Sequence, residues 1–144
     1  MPVREMKESD LPEVLAIQRE LAFQDWKEPQ FVSEIKADYA LAVVYESDTD
    51  SAEILGYAIF HLMGPDSELL SIATKRNTQR KGIGTSLIQA GFQKLSAGDS
   101  LFLEVRENNA NARHFYERHG FEPFSIRKNY YSDGETAILY KKNL

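Results

Sequence analysis

The chain has no cysteine. That removes disulfides, thiolate nucleophiles and sulfur-bound metals, and it suits a reducing compartment. Histidine is scarce, with only His61, His114 and His119. His114 and His119 stand five apart and do not share a helical face, so no metal site is expected. No apolar run approaches the roughly 20 residues that a membrane-spanning helix needs. The opening MPVREMKESD lacks the apolar core of a secretory leader. The expectation is a cytoplasmic protein that does not engage the membrane. A basic excess is missing too. The net charge of −5 argues against binding a nucleic-acid backbone and weakly favours a basic partner. What remains is ordinary globular composition over 144 residues, 42% hydrophobic and 27% charged. It reads as one domain spanning 1–144, large enough to bury about 70% of its unfolded surface.

Val3 to Met6 predicts a short opening strand. Ser9-Asp10-Leu11-Pro12-Glu13 predicts a helix start, with Asp10 as cap, Glu13 three residues on as in a capping box, and Pro12 in the first turn. Val14, Ile17, Leu21 and Leu15 supply its apolar stripe. A second short helix follows Pro29, turning Phe31, Ile35 and Val32 inward. Trp26 lies between the two helices, either as a core anchor or as a wall of an acceptor pocket. Leu41–Tyr45 and Ile54–Met63 read as strands joined by a polar hairpin loop, with Gly56 a candidate bulge. Gly64-Pro65-Asp66 is a turn, and Glu68–Thr74 a further strand. Leu87, Ile88, Gly91, Phe92 and Leu95 mark the buried face of a helix stopped by Ala97-Gly98-Asp99. Leu101–Arg106 is a strand, Asn108–His119 a helix, and Phe121–Arg127 with Thr136–Lys141 a closing pair of strands. This order predicts a mixed α/β sheet rather than a doubly wound parallel one.

The stretch Ser71 to Leu87 holds the first chemistry. A strand runs into a basic loop and then into a helix opened by Gly82-Ile83-Gly84. A helix start offers free N–H groups and the positive end of a dipole, which together suit a phosphate or pyrophosphate. Arg80 and Lys81 add cations, and glycine lets an anion approach the amides. In Leu101 to Arg106, alternation puts Leu101, Leu103 and Val105 on one face and Phe102, Glu104 and Arg106 on the other. Glu104 is either a solvated carboxylate paired with a nearby cation or a general base whose proton affinity is raised by apolar walls.

Gln79-Arg80-Lys81-Gly82-Ile83-Gly84 resembles the acyl-CoA-binding signature of the GNAT superfamily of N-acetyltransferases, Gln/Arg-x-x-Gly-x-Gly/Ala. Three further runs follow in order. They are Leu103-Glu104-Val105-Arg106, then Asn109-x-x-Ala112-x-x-Phe115-Tyr116-Glu117-x-x-Gly120-Phe121, then Arg127-Lys128-Asn129-Tyr130-Tyr131. Together they are similar to the RimI type of GNAT enzyme, which acetylates the N-terminal alanine of a small-subunit ribosomal protein. The resemblance runs from about Leu70 to the C-terminus. It implies the GNAT acyl-CoA N-acyltransferase fold, a central, mostly antiparallel sheet flanked by helices, with acetyl-CoA as co-substrate and no metal. Position by position it implies Glu104 as general base and Tyr116 as general acid. It implies Ile72, Ala73 and Thr74 as the strand that receives the pantetheine arm, and Arg80, Lys81, Gly82, Ile83, Gly84 and Thr85, opened by Gln79, as the pyrophosphate cradle. Asn109 is implied as a cofactor contact, and Tyr130 and Tyr131 as walls of the acceptor-peptide pocket, to which Trp26 is added. The chain departs from the family at Lys75-Arg76-Asn77-Thr78, where an acidic residue, a proline and an aromatic are usual. It departs again at Arg113 and His114, where relatives carry small or apolar side chains.

The reading is therefore an acetyl-CoA-dependent alanine N-acetyltransferase acting on a ribosomal protein. Two alternatives stand beside it: a GNAT enzyme of relaxed peptide or small-amine specificity, and a non-catalytic acyl-CoA-binding module. A dinucleotide-binding loop fails because position 87 is Leu where the third glycine belongs. A nucleotide loop of the Gly-Lys-Ser/Thr kind fails for want of that triplet.

Overall fold

Alternation and helical spacing sort the apolar side chains onto the two faces of one sheet. The computed structural model describes residues 2–22, 24–78 and 82–144. Its strands are β1 (Val3–Glu5), β2 (Ala40–Glu46), β3 (Ile54–His61), β4 (Asp66–Thr74), β5 (Ser100–Arg106), β6 (Glu122–Arg127) and β7 (Ala137–Asn143). Its helices are α1 (Leu11–Leu21), α2 (Glu28–Lys36), α3 (Ile83–Phe92) and α4 (Ala110–Arg118). The sheet order is β1-β2-β3-β4-β5-β7-β6. Among the described residues, only β4 and β5 run parallel; the other neighbours are antiparallel. The expected mixed, mostly antiparallel sheet is what forms. Among the described residues, no helix is long and apolar enough to cross a membrane.

On one face, Leu11, Val14 and Ile17 of α1 and Phe31 of α2 pack against Ala42, Val44, Ile54, Tyr57 and Ile59. On the other, Ile83, Leu87 and Ile88 of α3 and Tyr116 of α4 pack against Leu101, Leu103, Val105, Ile138 and Tyr140. The first pair of helices covers β1 to β4, and the second reaches across to β7. Among the described residues, no helix packs on the first face of β5 to β7.

Several boundaries differ from the sequence reading. The closing strands do pair, but β7 slots between β5 and β6, an order that no local signal carries. Helix α3 stops at Phe92, before its Gly98 signal, because Lys94 and Leu95 donate to Gly91 and Phe92 in tightened turns. The Asp10 side chain does not cap α1. It accepts instead from the Lys7 N–H at 2.8 Å and from both terminal nitrogens of Arg4 at 2.9 Å. Glu13, expected to close a capping box, accepts from the Ile54 N–H at 3.0 Å and pins α1 to β3.

Arg4 also reaches Glu46, so one guanidinium ties β1, the turn before α1 and the end of β2. Burial pushes the Asp10 carboxyl up, but Arg4 and the Lys7 N–H pull it further down, below the ordinary aspartate range. A carboxyl that ionises more readily folded than unfolded stabilises the fold above its unfolded value of about 4. It loses that contribution as pH falls through its lower folded value. Asp10→Asn should cost about 1–3 kcal/mol at neutral pH. The gap to the parent chain should close below about pH 4, as denaturant melts at the two pH values will measure. An equal gap at both would contradict the assignment.

Candidate active site

The parallel pairing of β4 with β5 stops almost as soon as it starts. It comprises Asp66–Ser100, Ser67–Leu101 and Glu68–Phe102. On its other side β4 stays paired with β3 as far as Thr74, and β5 stays paired with β7 as far as Arg106. The two strands therefore diverge with their outer partners intact. A bulge contributes: Phe60 pairs with Leu69 and Ile59 with Ser71, leaving Leu70 as an extra residue on β4. The result is a wedge whose facing edges carry backbone N–H and C=O groups with no strand partner. Buried backbone groups require partners, and an extended chain laid into such an edge provides them. Ile72, Ala73 and Thr74 lie on this free edge of β4.

Beyond Thr74 the chain turns through Arg76–Thr78 and enters α3. Gln79, Arg80 and Lys81, assigned to the cradle from sequence, lie outside the described residues. Gly82 is the N-cap of α3 at φ +78°, a conformation that glycine alone adopts without strain. Gly84 serves a purpose the sequence reading missed. A Cβ there would come within 3.1 Å of the Phe115 ring. Its smallness lets α3 pack against α4. Ile83 is buried in the core, so only its backbone can serve a ligand. Asn109 caps α4, its Oδ1 accepting from the Ala112 N–H at 3.2 Å, which commits that oxygen to the helix start.

Glu104 and Tyr116 approach the strand gap from opposite faces. Tyr116 belongs to the buried cluster on the α3/α4 face together with Leu103 and Val105 of β5. Burial, and after it the neighbouring Tyr131, pushes its hydroxyl well above the usual tyrosine range, so it stays protonated near neutral pH. Glu104 points to the helix-free face and is exposed. The enclosing apolar walls that the sequence reading considered for it are absent on the solvent side of the described chain. Tyr131 links the two: burial raises its hydroxyl first, then the Glu104 charge, against a lowering by Arg106. One phenol thus lies within electrostatic reach of both groups.

The segment between β6 and β7 is held over this face by Arg106. Its guanidinium stacks 4.1 Å from the centre of the Tyr131 ring and meets both carboxylate oxygens of Asp133, at 3.0 and 2.8 Å. Tyr130, grouped with Tyr131 from sequence, behaves differently. It is exposed and pairs with Arg127, 5.4 Å above its ring.

Trp26 lies in the segment between α1 and α2. Its ring packs on Phe31 with centroids 5.1 Å apart, as a core anchor would. It also lines a cavity of about 320 Å³ with Pro29, Gln30, Ser33 and Glu34. Neither Glu104 nor the Tyr130–Tyr131 pair lines that cavity. Its backbone N–H donates to the Gln18 amide oxygen at 3.0 Å, and its carbonyl accepts from the Gln18 amide nitrogen at 2.8 Å. Gln24 donates to the same Gln18 oxygen and accepts from Ser71 of β4. The buried Gln18 therefore couples the segment between α1 and α2 to the free strand. Sequence reasoning missed it, although a glutamine four residues after Val14 and one after Ile17 breaks an apolar stripe and signals a buried polar clamp. The Arg106 strap left no comparable signal, because its partners lie 25 and 27 positions away.

If Arg106 is what holds the β6–β7 segment down, Arg106→Ala should speed hydrogen exchange across residues 128–136. Global stability should hardly change, since the ion pair is solvent-exposed. Unchanged exchange would assign the segment's order to the hairpin alone.

The comparisons with known proteins agree with this geometry. The profile of the acetyltransferase (GNAT) family matches residues 3–121. The Escherichia coli (strain K12) [ribosomal protein bS18]-alanine N-acetyltransferase is 30% identical over 142 residues, covering 95% of this chain and 93% of that one. An N-alpha-acetyltransferase of Sulfurisphaera tokodaii is 28% identical over 152 residues, covering 95% and 89%. The crystal structure of the ribosomal-protein-S18-alanine N-acetyltransferase from Escherichia coli superposes with a TM-score of 0.84 at 29% identity, covering 98% of this chain and 92% of that one. Enzymes of this class use acetyl-CoA. The free edge of β4 and the glycine-capped start of α3 fit its extended pantetheine and its phosphates. A splayed parallel pair, a helix opened by a left-handed glycine and a family profile spanning most of the sequence lead to one conclusion: the chain belongs to the GNAT family and is an acetyl-CoA-dependent N-acetyltransferase.

Proposed function

We propose that the chain transfers an acetyl group to the N-terminal α-amine of a small-subunit ribosomal protein that begins with alanine. The observation that carries this reading is the likeness, over 95% of the chain, to an Escherichia coli enzyme named for that acceptor. The helix-free face of β5 supports it, because a polypeptide end needs an open approach. A basic ribosomal acceptor also suits a chain of net charge −5, and such work belongs in the cytoplasm.

In this reading each residue has a defined task. An α-amine has a free pKa of about 7.7–8.0, so at neutral pH most of it must lose a proton before it can attack. Glu104 accepts that proton, directly or through water, from the open face. Backbone N–H groups on the free edge of β4 stabilise the charge that develops on the thioester carbonyl oxygen. Tyr116, a phenol that is protonated at neutral pH in any case, gives its proton to the departing sulfur. Ile72, Ala73 and Thr74 align the extended arm of acetyl-CoA. The start of α3 from Gly82 to Thr85, with Gln79, Arg80, Lys81 and Asn109, holds its phosphate end. Tyr131, Tyr130 and Trp26 border the acceptor.

The Sulfurisphaera tokodaii relative, named for no particular acceptor, supports a second reading of broader α-amine specificity. The decisive assay is intact-mass detection of acetylation on a synthetic peptide with the N-terminal alanine of bS18. Peptides with other first residues and an N-terminally blocked control run beside it. Modification of the free alanine peptide alone supports the first reading, and equal modification of several supports the second. Binding of acetyl-CoA without transfer to any amine would leave a non-catalytic binding module.

Glu104→Gln should lower kcat by about 10²–10⁴, the range of a lost general base, and leave the dissociation constant for acetyl-CoA within about threefold, well short of one lost hydrogen bond to a charged group. Calorimetry and steady-state rates give the two numbers. A variant that instead loses cofactor binding would overturn the base assignment.

A further inference from the structure

His119 follows α4 and performs no step in the proposed chemistry, yet both of its ring nitrogens are engaged. Nδ1 lies 2.8 Å from the carbonyl oxygen of Phe115, and Nε2 lies 3.0 Å from the hydroxyl of Thr85. A carbonyl oxygen can only accept, so Nδ1 must carry the proton. Neutral His119 then presents a bare lone pair at Nε2, and Thr85 must be the donor. The single hydroxyl proton of Thr85 is thereby committed to His119. Any anion at the start of α3 meets the backbone N–H of Thr85 rather than its hydroxyl proton.

Thr85 is the third residue of α3 and His119 is the C-cap of α4. Their bond ties the first turn of one helix to the last turn of the other, beside the Gly84–Phe115 approach. Tyr116 lies one turn before His119 on the same helix. The bond therefore fixes the distance between the helix start that would hold phosphate and the side chain that would protonate the leaving sulfur.

We infer that His119, in its Nδ1-protonated tautomer, is a positioning residue for acetyl-CoA that acts through the Thr85 hydroxyl. The inference rests on the assignment of the α3 start to the cofactor's phosphates. It does not depend on the identity of the acceptor.

Two conservative variants separate this role from plain helix capping. Asparagine places an N–H near the Nδ1 position, so His119→Asn keeps the cap on Phe115 and loses Thr85. Glutamine reaches the Nε2 position, so His119→Gln keeps an acceptor for Thr85 and loses the cap. His119→Asn and Thr85→Val should each raise the KM for acetyl-CoA about threefold to tenfold, the range of one hydrogen bond. His119→Gln should stay within about twofold, and the His119→Asn/Thr85→Val double variant should be no worse than either single one, because both remove one interaction. Ring ¹⁵N spectra of the parent chain should show Nδ1 protonated and Nε2 bare.

A harmless His119→Asn beside a damaging His119→Gln would reduce the histidine to a helix cap and overturn the inference. Multiplying effects in the double variant, or the opposite tautomer, would do the same. Calorimetry of the parent chain with CoA identifies the level of failure. No binding overturns the cofactor reading and this inference together, whereas tight binding that is indifferent to all four variants overturns the inference alone.

Discussion

Everything functional in this chain depends on a strand pair that parts after three residues. Parallel strands cannot be joined by a tight turn and need a crossover. Here the crossover from β4 to β5 is α3 with its preceding loop. The same covalent path that makes the pair parallel therefore delivers a helix start to the open end of the wedge. Had β4 and β5 stayed paired along their length, the free edge of β4 would not exist, and no extended cofactor could add to it. The bulge at Leu70 turns β4 aside, and the unbroken β3 and β7 pairings keep each strand ordered while the gap stays open. The sheet pays for the gap with unmet backbone hydrogen bonds, which a cofactor is suited to restore.

The sheet's two faces divide the remaining work. The α3/α4 face is tightly packed and aromatic: Tyr116 lies among Phe115, Phe121 and Tyr140, with ring centroids 5.5 to 6.4 Å apart. Arg113, a departure from the family pattern, donates to the Tyr140 hydroxyl at 3.1 Å, and that hydroxyl donates to Glu117 at 2.7 Å. The unusual charge satisfies a buried phenol and binds α4 to β7, which steadies the turn that carries Tyr116. The opposite face is open over β5, and polar contacts rather than a helix order it.

Local signals foretold most of the framework. Local patterning located the four α-helices and seven strands of the described residues, because one-sided burial imposes its period on the sequence. The Glu104 and Tyr116 positions were legible because alternation within β5 and spacing within α4 fix the faces they occupy. Three kinds of feature were not legible. The insertion of β7 between β5 and β6 is a long-range pairing with no local cost. The Asp10 carboxylate was misjudged because capping competes with an arginine six residues earlier, and a bidentate ion pair is the stronger bond. At Gly84 a second reason for the missing Cβ, the Phe115 ring, comes from another helix and left no local signal.

Position alone does not make an exposed glutamate a base. On the open face of β5, Glu104 is exposed to solvent and lies within electrostatic reach of Tyr131. An acceptor chain laid against this face would displace that water and lie beneath the segment held by Arg106. The desolvation that raises a carboxylate's proton affinity would then come from the substrate itself rather than from the resting protein. This arrangement suits a base that must coexist with solvent between turnovers. If Glu104 is the base proposed above, the Arg106–Tyr131–Asp133 strap would also set how closely a peptide could cover it, and so couple acceptor fit to proton transfer.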